Sequence, residues 1–308
     1  AVCMMAGTAS LPHVMMRYFT TPSVKSARRS VGWSLFFIFL LYSSAPMLAT
    51  LSKLSLMDPN LATGIIGKSI ADVQALDWYQ NWNQANLMFV SDFNGNGTLE
   101  LNEFFMGGKA VVLATPEIAG LPYVISGLVA AGGMAAAMST ADGLVLAIAN
   151  ALSHDLYYKI IDPKAETAKR LIVARVLLVL IGFAGATIAA LEIQGILGSV
   201  IWAFDFAMSG LFFPLVLGVW WKRANAQGAV AGMLLGLASG TAYLIWVRTG
   251  GAGFWGVTQL TFGIVGSLVS LVSMVVVSLM TKAPDAATQR MVDEVRVPSG
   301  KTVLGKQH

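Results

Sequence analysis

Residues 118–152 contain no lysine or arginine and are almost wholly apolar. Roughly 20 apolar residues suffice to cross the hydrocarbon core of a bilayer, so this run is read as a membrane span starting at Ile118. A spanning segment must satisfy its own backbone polar groups, and a single long run does so only as a helix. Further apolar runs cover 31–51, 171–191, 196–221, 229–247 and 254–280. Residues 1–12 are apolar but too short to span, and read as the end of a helix that Gly7 and Pro12 terminate. The expected fold is therefore an all-α polytopic helical membrane protein, with about six full spans plus the end of another. Composition agrees. Of 308 residues, 56% are hydrophobic and 12% charged, where soluble domains carry about 25% charged residues. The single cysteine, Cys3, excludes an intrachain disulfide and a cysteine-based metal cluster. The chain opens with neither an initiator methionine nor a basic leader, and reads as the middle of a protein.

The charge pattern orients the spans. Sixteen of the twenty lysines and arginines lie in 17–30, 153–175, 222–223 and 281–308. Alternating spans put these four segments on one side, and the positive-inside rule makes that side cytoplasmic. The tail 281–308, ending at His308, is then cytoplasmic. The polar segment between the second and third apolar runs holds seven acidic residues from Asp58 to Glu117 and lies outside. This distribution accounts for the net charge of +4 without a nucleic-acid partner.

Inside the central run stands the sequence GGMAAAMST, 132–140, followed by Asp142. Small residues let neighbouring helix backbones approach closely. On a helix Ala136, Ser139, Thr140 and Gly143 share a face, with Asp142 beside Ser139. Hydroxyl, carbonyl and carboxylate oxygens are the ligands of a hard cation. The alternative is tight helix packing, with the hydroxyls bonded to carbonyls one turn back. Asp142 favours a functional site, because ionisable groups within spans mark ion or proton pathways. Asp205, in the run 196–221, either belongs to such a pathway or caps a broken helix. Glu192 is expected in a solvated position at the outer end of its helix. His13 reads as a structural hydrogen-bonding residue. The row Gly232, Gly236, Gly240 reads as a helix-packing face.

The outside segment carries a second motif. Residues 92–103, DFNGNGTLELNE, fit the EF-hand loop pattern at every fixed position. Asp92, Asn94 and Asn96 would supply side-chain oxygens, Thr98 a carbonyl, Glu100 a water-mediated contact and Glu103 a bidentate carboxylate to Ca²⁺. Helices are expected on both sides, over 71–90 and 101–107, within an EF-hand-like insertion at 71–108. The alternative is an Asn/Gly-rich turn that binds nothing. No phosphate-binding loop, HExxH, CxxC or supported Ser/His/Asp set is present, so an enzyme is not expected.

Three stretches together resemble the sodium:solute symporter family, near its cation/acetate branch. They are GTASLPHVMMRYF at 7–19, ATPEIAGLPYVISGLVAAGGMAAAMSTADGLVLAIANALSHDLYY at 114–158 and PLVLGVWWKRANAQGAVAGMLLG at 214–236. The resemblance implies the C-terminal part of an inverted-repeat fold of ten core helices, with 1–12 ending the sixth and the central run as the eighth. It implies a sodium site formed by the Ala136 carbonyl and the Ser139 and Thr140 hydroxyls, completed by the missing N-terminal helices. It also implies sodium-coupled symport of a small organic solute, a monocarboxylate such as acetate, in a bacterial inner membrane among membrane lipid. The EF-hand-like insertion is not a general feature of that family. A reading of another class, supported by the loop at Asp92, is a Ca²⁺-responsive membrane sensor or scaffold without transport.

Overall fold

The computed structural model describes residues 1–296 apart from 17, 19, 20, 192 and 194. The expectations for Glu192 and for the end of the tail, His308 included, lie outside the described residues. In chain order the helices are α1 (Val2–Ser10), α2 (Pro12–Met16), α3 (Val24–Met57), α4 (Ile70–Gln74), α5 (Asp77–Gln84), α6 (Val111–Ile118), α7 (Tyr123–Asn150), α8 (Thr167–Ala190), α9 (Ile196–Ala207), α10 (Phe213–Trp220), α11 (Ala226–Arg248), α12 (Gly263–Met280) and α13 (Ala286–Arg296). Two strands, β1 (Met88–Val90) and β2 (Phe104–Met106), stand between α5 and α6. Two π-helical segments extend the series: Ala151–Ile161 continues α7, and Met208–Phe212 joins α9 to α10. Six helical stretches among the described residues are long and apolar enough to cross a membrane. Their large side chains, such as Phe37, Phe39, Leu180 and Phe183, point outward as lipid-facing residues do.

The central run departs from its expected bounds at both ends. It is broken near the start: α6 ends at Ile118 and Gly120 turns with φ +65°, a conformation glycine adopts at little steric cost. Pro122 then precedes α7, whose first turn has no need of its missing N–H. At the far end the helix does not stop near Leu152 but winds on to Ile161. Polar Ser153–Lys159 remains helical because its charges pair along the surface, with Lys159 Nζ 3.0 Å from Asp155 Oδ1, four residues earlier.

The chain forms two compact units. One comprises Ala1–Ala27 and the residues from Asp142 onward. Here α11 and α12 pack along small residues. A Cβ at Gly232 would meet Met274 Cβ at 3.0 Å and Ser270 O at 3.1 Å, and one at Gly236 would overlap the Ser209 carbonyl. The Gly232–Gly236–Gly240 row is thus a contact within the chain. Asn225 starts α11, its Oδ1 accepting from Gly228 N at 2.8 Å, and also ties the helix to the end of α12 by donating to Thr281 Oγ1 at 2.7 Å. Helix α1 packs on α9 and the π-helical turn, where Cys3, Ala6 and Met208 form a small core with Phe212 and Ile264. At the C-terminal end of α10, Arg296 of α13 lies over the Trp220 ring at 5.7 Å, and Asp293 pairs with Lys222 at 2.7 Å. That ammonium holds the Asp293 carboxyl below the usual carboxylate range.

The other unit covers Arg28–Ala141. Its core draws on Leu56, Ile65, Val73, Tyr79, Met88, Leu99, Ala114 and Ile118, and so reaches beyond 71–108 on both sides. Tyr79 accepts from Val90 N at 3.1 Å, Asn83 donates to Met88 O at 2.8 Å, and Trp82 Nε1 donates to Glu117 Oε2 at 3.0 Å. These bonds satisfy polar groups around an apolar centre, as in a water-soluble domain.

Candidate functional site

The small-residue stretch lies on α7, and Gly132 to Asp142 is exposed throughout. Thr140 Oγ1 donates to Ala136 O at 3.3 Å. Two of the three oxygens expected to bind sodium are therefore adjacent on one face, bridged by the hydroxyl proton. That contact is also the back-bond expected of the packing alternative. Ser139 is one residue away and exposed, and Asp142 is exposed on the following turn. A cation at this face would meet one helix's oxygens and would need others from a facing element.

Asp205 has the opposite setting. It lies on the last turn of α9 and its side chain is fully buried. Its backbone carbonyl accepts from Ser209 Oγ at 2.7 Å where the helix widens into the π-helical turn. Such single widened turns recur at functional sites. The Cys3 thiol and the backbone of Phe262 and Gly263, at the start of α12, stand against the carboxyl. Neither carboxyl oxygen reaches any of these donors in hydrogen-bonding geometry. Asp205 lies inside a continuous helical path and starts no helix of its own, while its carboxyl stands at the N-terminal end of α12.

The third constellation is the loop after β1. Asp92 accepts from Gly95 N at 2.7 Å and Gly97 N at 3.0 Å, Asn94 from Asn96 N at 2.9 Å and Asn96 from Thr98 N at 2.7 Å. Gly95 and Gly97 take φ +72° and +71°, the left-handed turns the loop needs. Glu103 is fully buried, its two oxygens accepting from Phe93 N and Glu100 N at 3.0 Å each. Glu100 Oε1 receives the side-chain amides of Asn94 and Asn96 at 3.0 and 3.1 Å. The oxygens of Asp92, Asn94, Asn96 and Glu103 each keep a lone pair beyond these bonds, so the donor set fits a hard cation. Among the described residues no three His, Cys, Asp or Glu side chains gather as a metal cluster, Asp92, Glu100 and Glu103 included.

The flanks correct the expectation of helix–loop–helix. A strand replaces the end of the first predicted helix and β2 replaces the second. Met88 pairs with Met106, Phe89 with Phe105 and Val90 with Phe104. Aromatic and branched residues favour strands, and Phe89 stacks on Phe105 across the ladder with ring centroids 4.7 Å apart. The loop's far side is held by a bridge from Thr98 to Ser69.

Residues 109–236 match the model of the sodium:solute symporter family. Over 304 residues, 96% of this chain, the sequence is 41% identical to an uncharacterized symporter of Cupriavidus necator. The chain is thus similar to the sodium:solute symporter family in its matched segment and to a symporter along nearly its whole length. It is also 26% identical, over 78% of its length, to a monocarboxylic acid transporter of Corynebacterium glutamicum. It spans 44% and 36% of the lengths of these two relatives. With six apolar spans and these similarities, it is a multi-pass integral membrane protein. The family match covers Ala136, Ser139, Thr140, Asp142 and Asp205, whereas the loop at Asp92 falls before it.

Contact with Cys3, the buried hub role of Glu103 and the π-helical turn were not legible in the sequence. Ser209-Gly210 within an apolar run was the signal available for the last of these.

Proposed function

We propose that this chain belongs to a sodium-coupled symporter for a small organic solute, with a short monocarboxylate such as acetate as substrate. The observation that carries the reading is the family match over 109–236, which contains the α7 oxygens. The monocarboxylate rests on the name of the Corynebacterium glutamicum relative. The Ala136 carbonyl and the Ser139 and Thr140 hydroxyls contribute to the sodium site. Sodium favours one conformation, and the solute binds that conformation more tightly, so coupling is a difference of affinities between states. The protein acts by transport without covalent chemistry, in a plasma membrane.

Uptake of labelled acetate against sodium concentration tests this, in the full-length transporter and normalised to surface protein. Ser139→Ala and Thr140→Ala each remove one oxygen and keep a small side chain. A loss of about 1 kcal/mol raises half-saturation roughly fivefold. Unchanged half-saturation in both variants rules out the assignment. Asp142→Asn separates an ion role from a structural one: altered pH dependence or sodium cooperativity marks an ion role.

A second function belongs to the loop, because every fixed position of the calcium pattern is filled. We infer weak Ca²⁺ binding by Asp92, Asn94, Asn96, Thr98, Glu100 and Glu103, acting as a structural clip. Extracellular modules bind in the range of about 10⁻⁴–10⁻³ M. Calorimetric titration of the chain to about 10 mM Ca²⁺ tests it. No heat in the native chain, or equal heat in Glu103→Gln, defeats the assignment. A Ca²⁺ response with no acetate uptake would favour the sensor reading.

A further inference from the structure

The sodium reading leaves one buried ionisable group unused. Asp205 is fully enclosed within a membrane span, and both its carboxyl oxygens lack a hydrogen-bond partner. A charged carboxylate there is costly unless something compensates it. The ionisable groups on the surrounding elements are few. Helix α1 offers Cys3. Helices α10 and α12 and the π-helical turn carry none. On α11, the Tyr243 hydroxyl is engaged with Val257 O and Phe254 N, and the Arg248 guanidinium lies over the Trp202 ring. Among the described residues no lysine, arginine or histidine pairs with Asp205.

A metal cation is a poor occupant. It needs a shell of oxygens, whereas the groups facing Asp205 are a thiol and the backbone at the start of α12, whose free N–H groups carry partial positive charge. Packing is also tight on that side, since a Cβ at Gly263 would stand 2.9 Å from Oδ1. The thiol narrows the choice further. Cys3 Sγ points its one proton at Thr261 O, 3.9 Å away. On the α1 side sulfur lone pairs then remain for Asp205, and a lone pair is met by an O–H, not by a carboxylate oxygen.

We propose that Asp205 is a proton-binding site, held as the neutral acid by a relay from its O–H to Cys3 Sγ and from Cys3 S–H to Thr261 O. The loaded relay fastens α1 and the residue leading into α12 to the last turn of α9. Binding forms one O–H bond from carboxylate and proton and breaks no other. On release, the anion keeps the N–H groups at the start of α12 on one side but faces sulfur lone pairs on the other, and the contact with α1 weakens. The inference goes beyond sodium symport and does not rest on it; it needs only the burial of this group in a membrane span.

Infrared spectroscopy of the intact chain in lipid nanodiscs, without any sodium gradient, tests it. At neutral pH a carboxylic-acid C=O band that shifts in D₂O is expected, and Asp205→Asn should remove it. Raising the pH should remove it from the native chain as well. Cys3 is the chain's single cysteine, so its S–H stretch is unambiguous, and it should shift together with the loss of that band. The native titration needs no variant, so a misfolded Asp205→Asn protein leaves the test intact. Absence of a titrating acid band in the native chain overturns the site. An S–H stretch indifferent to the titration overturns the relay. Neither outcome bears on sodium-dependent uptake.

Discussion

Helices α11 and α12 meet along Gly228, Gly232, Gly236 and Gly240 against Ser270, Met274 and Ser278, whereas the core between Leu56 and Ile118 is filled by leucine, isoleucine, methionine and tyrosine. The first pair is built for lipid. Lipid tails are as apolar as leucine, so burying large side chains gains little there, and close backbone contact supplies the attraction. The second core is built for water, where apolar area removed from solvent is the main driving force. One chain thus uses two sets of packing materials, and substitutions that one tolerates should damage the other.

The sharpest way to break this contrast is to add a side chain to the glycine row. Gly236→Leu would drive Cβ into the Ser209 carbonyl and against Ser270 Cβ. Backbone cannot yield as a flexible side chain does, so the cost should be on the order of 5 kcal/mol, beyond ordinary overpacking. The readout is loss of monodisperse protein in detergent, with Gly32→Leu, in open space on α3, as the tolerant control.

Removing a side chain should hurt the other region. Leu99 is fully buried, and Leu99→Ala should destabilise its core by about 2–5 kcal/mol. Hydrogen exchange would show the loss confined to the unit Arg28–Ala141, while the α11 amides keep their protection. Loss spread evenly over both units would defeat the two-material view.

A smaller effect isolates the polar hub of the water-type core. Glu103→Gln leaves one acceptor oxygen for the two backbone N–H groups of Phe93 and Glu100, and places an NH₂ against the other. One buried unsatisfied donor costs about 1–3 kcal/mol. Thermal unfolding in the absence of Ca²⁺ should show it, which separates the structural role from any metal role.

The smallest expected effect lies at the exposed latch between α13 and Lys222. The Asp293 carboxyl is held below its ordinary value of 3.8 chiefly by its bond to Lys222. A depressed carboxyl stabilises docking above its ordinary value, and that contribution is lost as pH falls through the lower folded value. Docking of α13 should thus be insensitive to pH near neutrality and weaken only in acid, and high salt should mimic the acid. Protease cleavage after Arg290 would report it. Release on raising the pH would contradict the sign.

Much of the fold was legible because spans are set by length and charge. Apolar runs and sixteen basic residues on four links are local quantities. The break at Gly120-Leu-Pro122 was written in the sequence, but the apolar count passed over it. The continuation past Leu152 was hidden by polar residues that pair along a helix. The loop at Asp92 was legible because its ligands are fixed in spacing. Its flanks were not, because β1 and β2 are stabilised by each other across the loop and by Tyr79 and Asn83 of α5. Asp205 was recognisable by type, whereas its neighbours Cys3 and Phe262 come from distant parts of the chain.

The continuous helical stretch Tyr123–Ile161 holds 39 residues. At 1.5 Å per residue that is roughly 58 Å, against a hydrocarbon slab of about 30 Å. Close to half of it therefore stands clear of the lipid tails, as the shaft of a lever whose fulcrum is the membrane surface. A change of tilt of about 10° at that fulcrum would carry the free end on the order of 5 Å, while the oxygens near Thr140 move far less.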